Sequence, residues 1–394
     1  MRIAISGASG YIGQHLSSFL EGKGYDVIPL GRDLFKEDCF DELCRCVESC
    51  EVVINLAGAS INKRWTEAYK QELYDSRICV TRQLVHAINT RSVKLELFIS
   101  ASAVGYYPAF GEYDEYHDCR GMDFLARLCG AWEEEASACS SDVRLVITRF
   151  GVVLSEDGGA LKEMLRLQRF SRVSVVIGNG QQRFPWISLF DLCRSFGYII
   201  RNRQMRGVVN LVSPDLITQK QLAHTLARAD KIRRIIPLPE FFFRLKFGEG
   251  ASFVTKGQTV HPSKLQESGF TYIYPTIEKL MNITDHHTVP ELDIKRYMGR
   301  WYEIARYENH FERGMTDVTA TYTLLPDGKI RVENEGYKGG VHKKATGRAK
   351  QPDPKNNPGK LKVAFFLWFY ADYYILELDA DYQYAVIGSS TDKY

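Results

Sequence analysis

Ser6-Gly7-Ala8-Ser9-Gly10-Tyr11-Ile12-Gly13 stands between an apolar run, Ile3-Ala4-Ile5, and a segment from Tyr11 to Leu20 whose apolar residues recur at helical spacing. That order reads as strand, glycine turn, helix. Gly7 suits the backbone angles of a tight turn, and Gly10 leaves the main chain open to a pyrophosphate. Gly13 lets the helix pack closely on its strand. The first helical turn then offers unpaired N–H groups and a partial positive charge to phosphates. Gly7, Ser9, Gly10, Tyr11, Ile12 and Gly13 are therefore candidate cofactor contacts.

Working outward, Tyr25 to Leu30 reads as a second strand ending at Gly31-Arg32. An acidic side chain there would hold the ribose 2′-hydroxyl of NAD, whereas an arginine suits the 2′-phosphate of NADP. NADP is the expected cofactor, with NAD second, although Asp33 stands beside Arg32. Val52 to Gly58 is the third strand and its exit, Trp65 to about Asn89 a long helix, and Leu95 to Ser100 a fourth strand. A helix from Gly121 to Cys139 and a strand from Arg144 to Phe150 follow. This alternation predicts an α/β, Rossmann-like fold, a doubly wound parallel sheet with right-handed crossovers. From Gly151 the alternation loosens into a smaller substrate lobe within about 151–283. There Leu189 to Ile200 reads as a helix, Gly207 to Val212 as a strand, and Thr218-Gln219-Lys220-Gln221 as a capping box.

The 394 residues are ample for two domains, with 45% hydrophobic and 25% charged residues as in ordinary globular proteins. A net charge of +3 argues against a nucleic-acid partner. No run reaches membrane-span length and no apolar signal region opens the chain, so the cytoplasm is the expected compartment. The nine cysteines all lie between Cys39 and Cys193 and read as reduced thiols. Cys39, Cys46 and Cys50 share helical spacing with Leu43 and Val47 and lack a histidine partner, so no metal site is expected.

The Gly-x-x-Gly-x-x-Gly spacing resembles the short-chain dehydrogenase/reductase superfamily. Asn55-Leu56-Ala57-Gly58, Lys63-Arg64-Trp65, Ser100 to Tyr107, Arg183-Phe184-Pro185-Trp186 and Gly269-Phe270…Tyr274-Pro275-Thr276 look like its atypical, extended-type epimerase branch, over residues 1–283. The resemblance implies NADP contacts at Gly31, Arg32, Leu56, Ala57, Glu72, Arg77 and Val153, with Gly58 in the segment beneath the cofactor. It also implies a small hydroxyl- or carbonyl-bearing substrate, such as a nucleotide sugar. Most such enzymes hold the substrate oxygen with a serine, here Ser102, and move a proton with a tyrosine whose pKa is lowered by a lysine four residues on. Anchoring on Glu133 puts Leu125 and Cys129 in those two places. Tyr106 and Tyr107 are the phenols nearest Ser102, and Arg127 or Asp123 is left to supply charge. Ser102 and Tyr106 are thus the catalytic candidates. The competing function is an NADP-binding sensor or ligand-carrier fusion without turnover.

Residues 284–292, with His286, His287 and Pro290, read as a linker. After it come short alternating segments: Thr319 to Leu324 and Lys329 to Asn334 joined by Pro326-Asp327-Gly328, then 344–350, 360–365, 373–378 and 384–387. The only helical candidate lies around Glu308 to Arg313. This pattern predicts an antiparallel barrel. Gly299-Arg300-Trp301-Tyr302 closely resembles the opening motif of bacterial lipocalins, and Asp379 and Tyr382 fit their weaker second motif, so residues 293–394 are expected to form a lipocalin-like domain. The resemblance implies a small apolar ligand in the barrel mouth. The chain reaches Tyr394 before the family's last strand, whose arginine stacks on the tryptophan, so an incomplete barrel is expected.

Overall fold

A computed structural model describes residues 1–92, 95–281, 288–306, 314–354, 357–366 and 369–388. The chain forms two compact units, Met1–Ile283 and Thr284–Tyr394. In the first, β1 (Arg2–Ser6), α1 (Tyr11–Glu21), β2 (Asp26–Leu30), α2 (Phe40–Glu48), β3 (Val52–Asn55), α3 (Glu67–Thr90) and β4 (Leu97–Ala103) alternate strictly. A short β5 (Glu112–Tyr113) precedes α4 (Phe124–Ser137) and β6 (Arg144–Phe150). Then come β7 (Val152–Ser155), α5 (Gly159–Ser171), β8 (Val173–Ile177), β9 (Trp186–Ser188), α6 (Leu189–Arg201) and β10 (Gly207–Leu211).

Six of these strands form one parallel sheet in the order β2-β1-β3-β4-β6-β10. Its strands are continuous apolar runs because helices cover both faces. Leu16 and Leu20 of α1 pack with Phe196 and Ile199 of α6 on one side. Leu43 and Val47 of α2 pack with Leu84 and Ile88 of α3 on the other. Helix starts are set by side-chain caps: the Thr66 hydroxyl accepts the Tyr69 N–H, and the Asp123 carboxylate accepts the Ala126 N–H at 2.9 Å. The second cap moves the start of α4 to Phe124, three residues beyond the expected Gly121. Cys50 is buried behind α2, whereas Cys39 and Cys46 are only half-buried, and all nine cysteines are free thiols.

The part of the first unit from residue 151 on holds more regular structure than its sequence pattern suggested. β7 pairs β9 in parallel, and β8 pairs in parallel with β11 (Arg234–Leu238). Between them α7 (Gln219–Ala229) opens on the full Thr218–Gln221 capping box. α8 (Glu240–Phe247) follows β11, and β12 (Thr259–Val260) pairs β5. Among the described residues no helix is long and apolar enough to cross a membrane.

The second unit is an antiparallel meander: β13 (Gly299–Tyr302), β14 (Met315–Leu324), β15 (Ile330–Lys338), β16 (Val341–Lys350), β17 (Lys360–Phe366), β18 (Phe369–Leu378) and β19 (Ala385–Gly388). Each strand pairs with the next, and among the described residues no ladder joins β13 to β19. The sheet is therefore an incomplete barrel. Gly328 closes the first hairpin at φ +79°, with its N–H on the Leu325 carbonyl. Gly339-Gly340, both at positive φ, form the two-residue turn between β15 and β16. Inside, Tyr297, Ile330, Val332, Leu361 and Ile375 make the core. The Tyr373 hydroxyl lies 2.8 Å from that of Tyr297 and 2.9 Å from that of Tyr322. Trp301 lies against Tyr297 and donates its indole N–H to the Tyr297 carbonyl at 2.9 Å. Val289 and Leu292 pack on this same core, and the Val289 N–H bonds the Ile375 carbonyl. His286, His287 and the segment 308–313 lie outside the described residues.

Heating is expected to give two unfolding transitions, one for each unit. Ile375→Ala empties the centre of the second core and is expected to lower one transition, by about 2–5 kcal/mol. Leu16→Ala, equally buried in the first, is expected to lower the other. Calorimetry in which either variant moves both transitions together would contradict independent units.

Candidate functional site

Strand order reverses at β1: β2 lies to one side of it and β3 to the other. In open parallel sheets the crevice beyond such strand ends is where ligands sit. Gly7, leaving β1, has φ +71°, and a Cβ there would come within 2.8 Å of the Leu56 carbonyl leaving β3. A Cβ on Gly13 would lie 2.2 Å from the Gly7 carbonyl oxygen. Gly13 therefore brings α1 tight against the glycine turn, a different contact from the helix-on-strand packing expected. Gly10 is the N-cap of α1 without a side-chain cap, so the first-turn N–H groups face the crevice open. The Tyr11 ring lies against Gly158, at the start of α5, where a Cβ would be 2.3 Å from it. Its hydroxyl is buried without a hydrogen-bond partner. Open N–H groups, a cradle that side chains would fill and an orphaned phenol fit the phosphates of a dinucleotide.

A buried polar chain holds the second wall of the crevice. The Ser6 hydroxyl donates to the Asn55 side-chain oxygen at 2.6 Å, and the Asn55 amide donates to the Thr81 hydroxyl at 2.8 Å. Thr81 also accepts the Trp132 indole N–H and donates to the Arg77 carbonyl. Asn55 thereby ties β1, β3 and α3 together, and its oxygen receives the Ala57 N–H at 3.3 Å. Arg77 is no surface charge: its guanidinium is half-buried, donates to the Ala59 and Leu73 carbonyls, and lies 5.2 Å over Trp132. Burial holds its pKa below the usual arginine value. A Cβ on Gly58 would sit 2.9 Å from that guanidinium, so Gly58 is what lets Arg77 brace the loop.

Gly31 and Arg32 lie exposed at the end of β2. The neighbouring Asp33 is taken by Lys36 at 2.5 Å, and Arg32 has no carboxylate partner among the described residues. Glu72 is exposed on α3. Val153 lies half-buried on β7, opposite Ile187.

At the end of β4 Ser102 is 3% exposed, and its hydroxyl donates to Glu133 Oε1 at 2.6 Å. Arg149 of β6 grips the same carboxylate with two bonds, Nε to Oε1 at 2.8 Å and a terminal nitrogen to Oε2 at 2.7 Å. The Arg149 guanidinium in turn lies 3.5 Å over the Tyr106 ring and 4.7 Å over that of Tyr107. The structure thus joins Ser102 and Tyr106 through an ion pair that sequence reasoning missed. The available signal was charge in apolar surroundings: Arg149 interrupts a core strand, and Glu133 falls on the buried face of α4. Burial raises the Tyr106 phenol, and the nearby Arg149 charge pulls it partly back. Tyr106 donates to Asp118 at 3.3 Å, and the single Tyr107 hydroxyl proton is within reach of the Asp114 carbonyl at 2.9 Å and the Asn210 side-chain oxygen at 3.1 Å. Cys129, which the resemblance puts in the lysine's place, is buried and its thiol is pushed up to about 12, so it holds its proton. Neither suggested source of charge reaches this cluster: Asp123 caps α4 and Arg127 is exposed, bonded to the Met122 carbonyl.

Residues 3–211 match the NAD dependent epimerase/dehydratase family, 238–282 match a domain of unknown function, DUF1731, and 292–394 match the lipocalin-like domain. The epimerase family protein YfhF of Bacillus subtilis is 34% identical over 307 residues, covering 73% of this chain and all of that protein. The SDR39U1 homolog of Arabidopsis thaliana, described as a chloroplastic epimerase family protein, is 33% identical over 71% of this chain and 85% of its own length. The crystal structure of human epimerase family protein SDR39U1, isoform 2, with NADPH superposes with a TM-score of 0.66 at 32% identity, over 72% of this chain and 98% of the human one. With its glycine crevice and these relatives, the chain belongs to the NAD dependent epimerase/dehydratase family, and it carries a lipocalin-like domain at its C-terminal side.

Proposed function

We propose that the first unit is an NADP-dependent oxidoreductase or epimerase, cytoplasmic, acting on a small hydroxyl- or carbonyl-bearing molecule such as a nucleotide sugar. The observation that carries this reading is the crevice where Gly7 meets Leu56, with an uncapped α1 on one side and the exposed Arg32 at the neighbouring strand end. The NADPH named with the human relative supports the choice of cofactor. When bound, the nicotinamide would supply reversible hydride transfer. Gly7 and the α1 N-terminus would hold the pyrophosphate, Gly31 and Arg32 the 2′-phosphate, and Leu56, Ala57, Gly58 and Val153 the cofactor's inner face. Arg77 would act mainly by bracing that wall, and Glu72 would reach the cofactor from α3. Ser102 would bind the substrate oxygen, with Tyr106 as the nearest proton-bearing group. The second unit would take a small apolar ligand between its aromatic strands.

A second reading, an NADP-binding sensor or ligand carrier without turnover, rests on one specific observation. The buried, protonated Cys129, with Leu125, falls where the resemblance would put the lysine and tyrosine of most short-chain enzymes. Incubating the chain with NADPH and a panel of nucleotide sugars and small ketones separates the two: loss of the reduced-nicotinamide absorbance, or interconversion of a sugar, supports the enzyme, and inertness across the panel supports the sensor.

NADPH is expected to bind more tightly than NADH, and Arg32→Ala to remove most of the difference, about 1.5–3 kcal/mol for a lost charged hydrogen bond. Equal affinities in the unchanged protein, by fluorescence titration, would refute the assignment of Arg32. Ser102→Ala is expected to abolish turnover while leaving NADPH affinity nearly unchanged. Full turnover in that variant would remove Ser102 from the chemistry.

A further inference from the structure

We propose that the groove between α1 and α6 is a second ligand site, for a planar aromatic molecule carrying one anionic group. It lies at the far end of α1 from the glycine turn. Phe19 lies about two turns beyond Tyr11 on α1, and Lys23 follows the helix's C-cap, so this groove and the cofactor crevice are separate places. The groove encloses about 380 Å³, within the range of small-molecule sites.

Two pairs of rings form its walls. Phe19 meets Phe190 edge to face at 6.5 Å, and Tyr198 meets Phe270 in the same way at 5.5 Å. Phe190 is 49% exposed, which is costly for a phenylalanine unless something covers it. Gly197 of α6 lets the Phe19 ring approach: a Cβ there would come within 3.2 Å of it.

The rim is cationic, and its charges are of two kinds. Arg194 is fixed, donating to Asp191 at 2.8 Å and to the Thr271 carbonyl, with its guanidinium 5.3 Å over Phe270. Asp191 is fully buried and also receives the N–H groups of Ile273 and Tyr274, so its charge is balanced within the protein. Lys23 and Arg201 have no carboxylate partner among the described residues. Lys23 is 5.8 Å over the Phe19 ring. Aromatic walls beneath uncompensated cations are the chemistry that recognises a flat ring and a carboxylate or phosphate together, through stacking, cation–π attraction and charge-assisted hydrogen bonds.

The test uses three probes, indole-3-acetate, indole-3-acetamide and acetate, titrated calorimetrically into the full chain. Indole-3-acetate is expected to bind at one site, the neutral amide at least about tenfold more weakly, and acetate without measurable heat. Lys23→Glu with Arg201→Glu, both exposed and so tolerated by the fold, is expected to weaken indole-3-acetate at least about tenfold. Phe190→Ala is expected to do the same by removing a wall. Circular dichroism melts confirm that each variant is folded. Equal binding of acid and amide, no binding up to about 10 mM, or binding that survives both sets of substitutions would overturn the assignment. The last result would place the indole elsewhere, as in the second unit.

Discussion

The first unit depends on one close approach, that of the backbone after β1 to the backbone after β3. Gly7 sits 2.8 Å, measured from where a Cβ would be, from the Leu56 carbonyl, and Gly13 comes nearer still to Gly7. No residue with a side chain fits either position without moving the main chain. That constraint lines up the start of α1 with the crevice and sets the distance between the two halves of the sheet. The Ser6–Asn55–Thr81–Trp132 chain then fixes the same two strands to α3 and α4 from within, with each buried donor satisfied.

A second constraint is the ion pair between Glu133 and Arg149, which crosses from α4 to β6. Two buried charges of this kind hold only because the carboxylate is also bonded by Ser102 and the guanidinium is covered by two phenol rings. Removing one partner from such a pair typically costs about 3–5 kcal/mol, so the cluster stabilises the end of β4 whatever chemistry takes place there. Where Leu125 and Cys129 leave α4 without a phenol and an ammonium, this pair is the dominant charge arrangement beside Ser102.

Much of this was legible from residue spacing alone. The glycine turn, six alternating strands and the hairpin at Pro326-Asp327-Gly328 appear where periodicity and turn chemistry place them. Helix boundaries moved by a few residues because caps such as Asp123 act through a single hydrogen bond that periodicity does not register. β8 and α8 were not legible because their apolar residues are contiguous and mark no clear phase; α8 buries none of its residues. α5 carries a helical stripe, Leu161, Met164 and Leu165, but lies outside the strict strand–helix alternation that marks the first half of the chain. The roles of Arg77 and Arg149 were hidden for a different reason. A charge enters a core only with its partner, and the partner, Glu133 or the Ala59 carbonyl, lies far away in sequence.

The direction of the Ser102 hydrogen bond has a further consequence. A serine hydroxyl has one proton and two lone pairs, and here the proton points at Glu133. What remains for any incoming group is an electron pair, made richer by the carboxylate behind it. An alcohol or an amide N–H finds an acceptor in Ser102 as it stands, whereas a carbonyl oxygen is received only once that proton turns from Glu133 toward it. The polarity of this one bond therefore screens ligands by which end of a hydrogen bond they bring, before shape or size has any say.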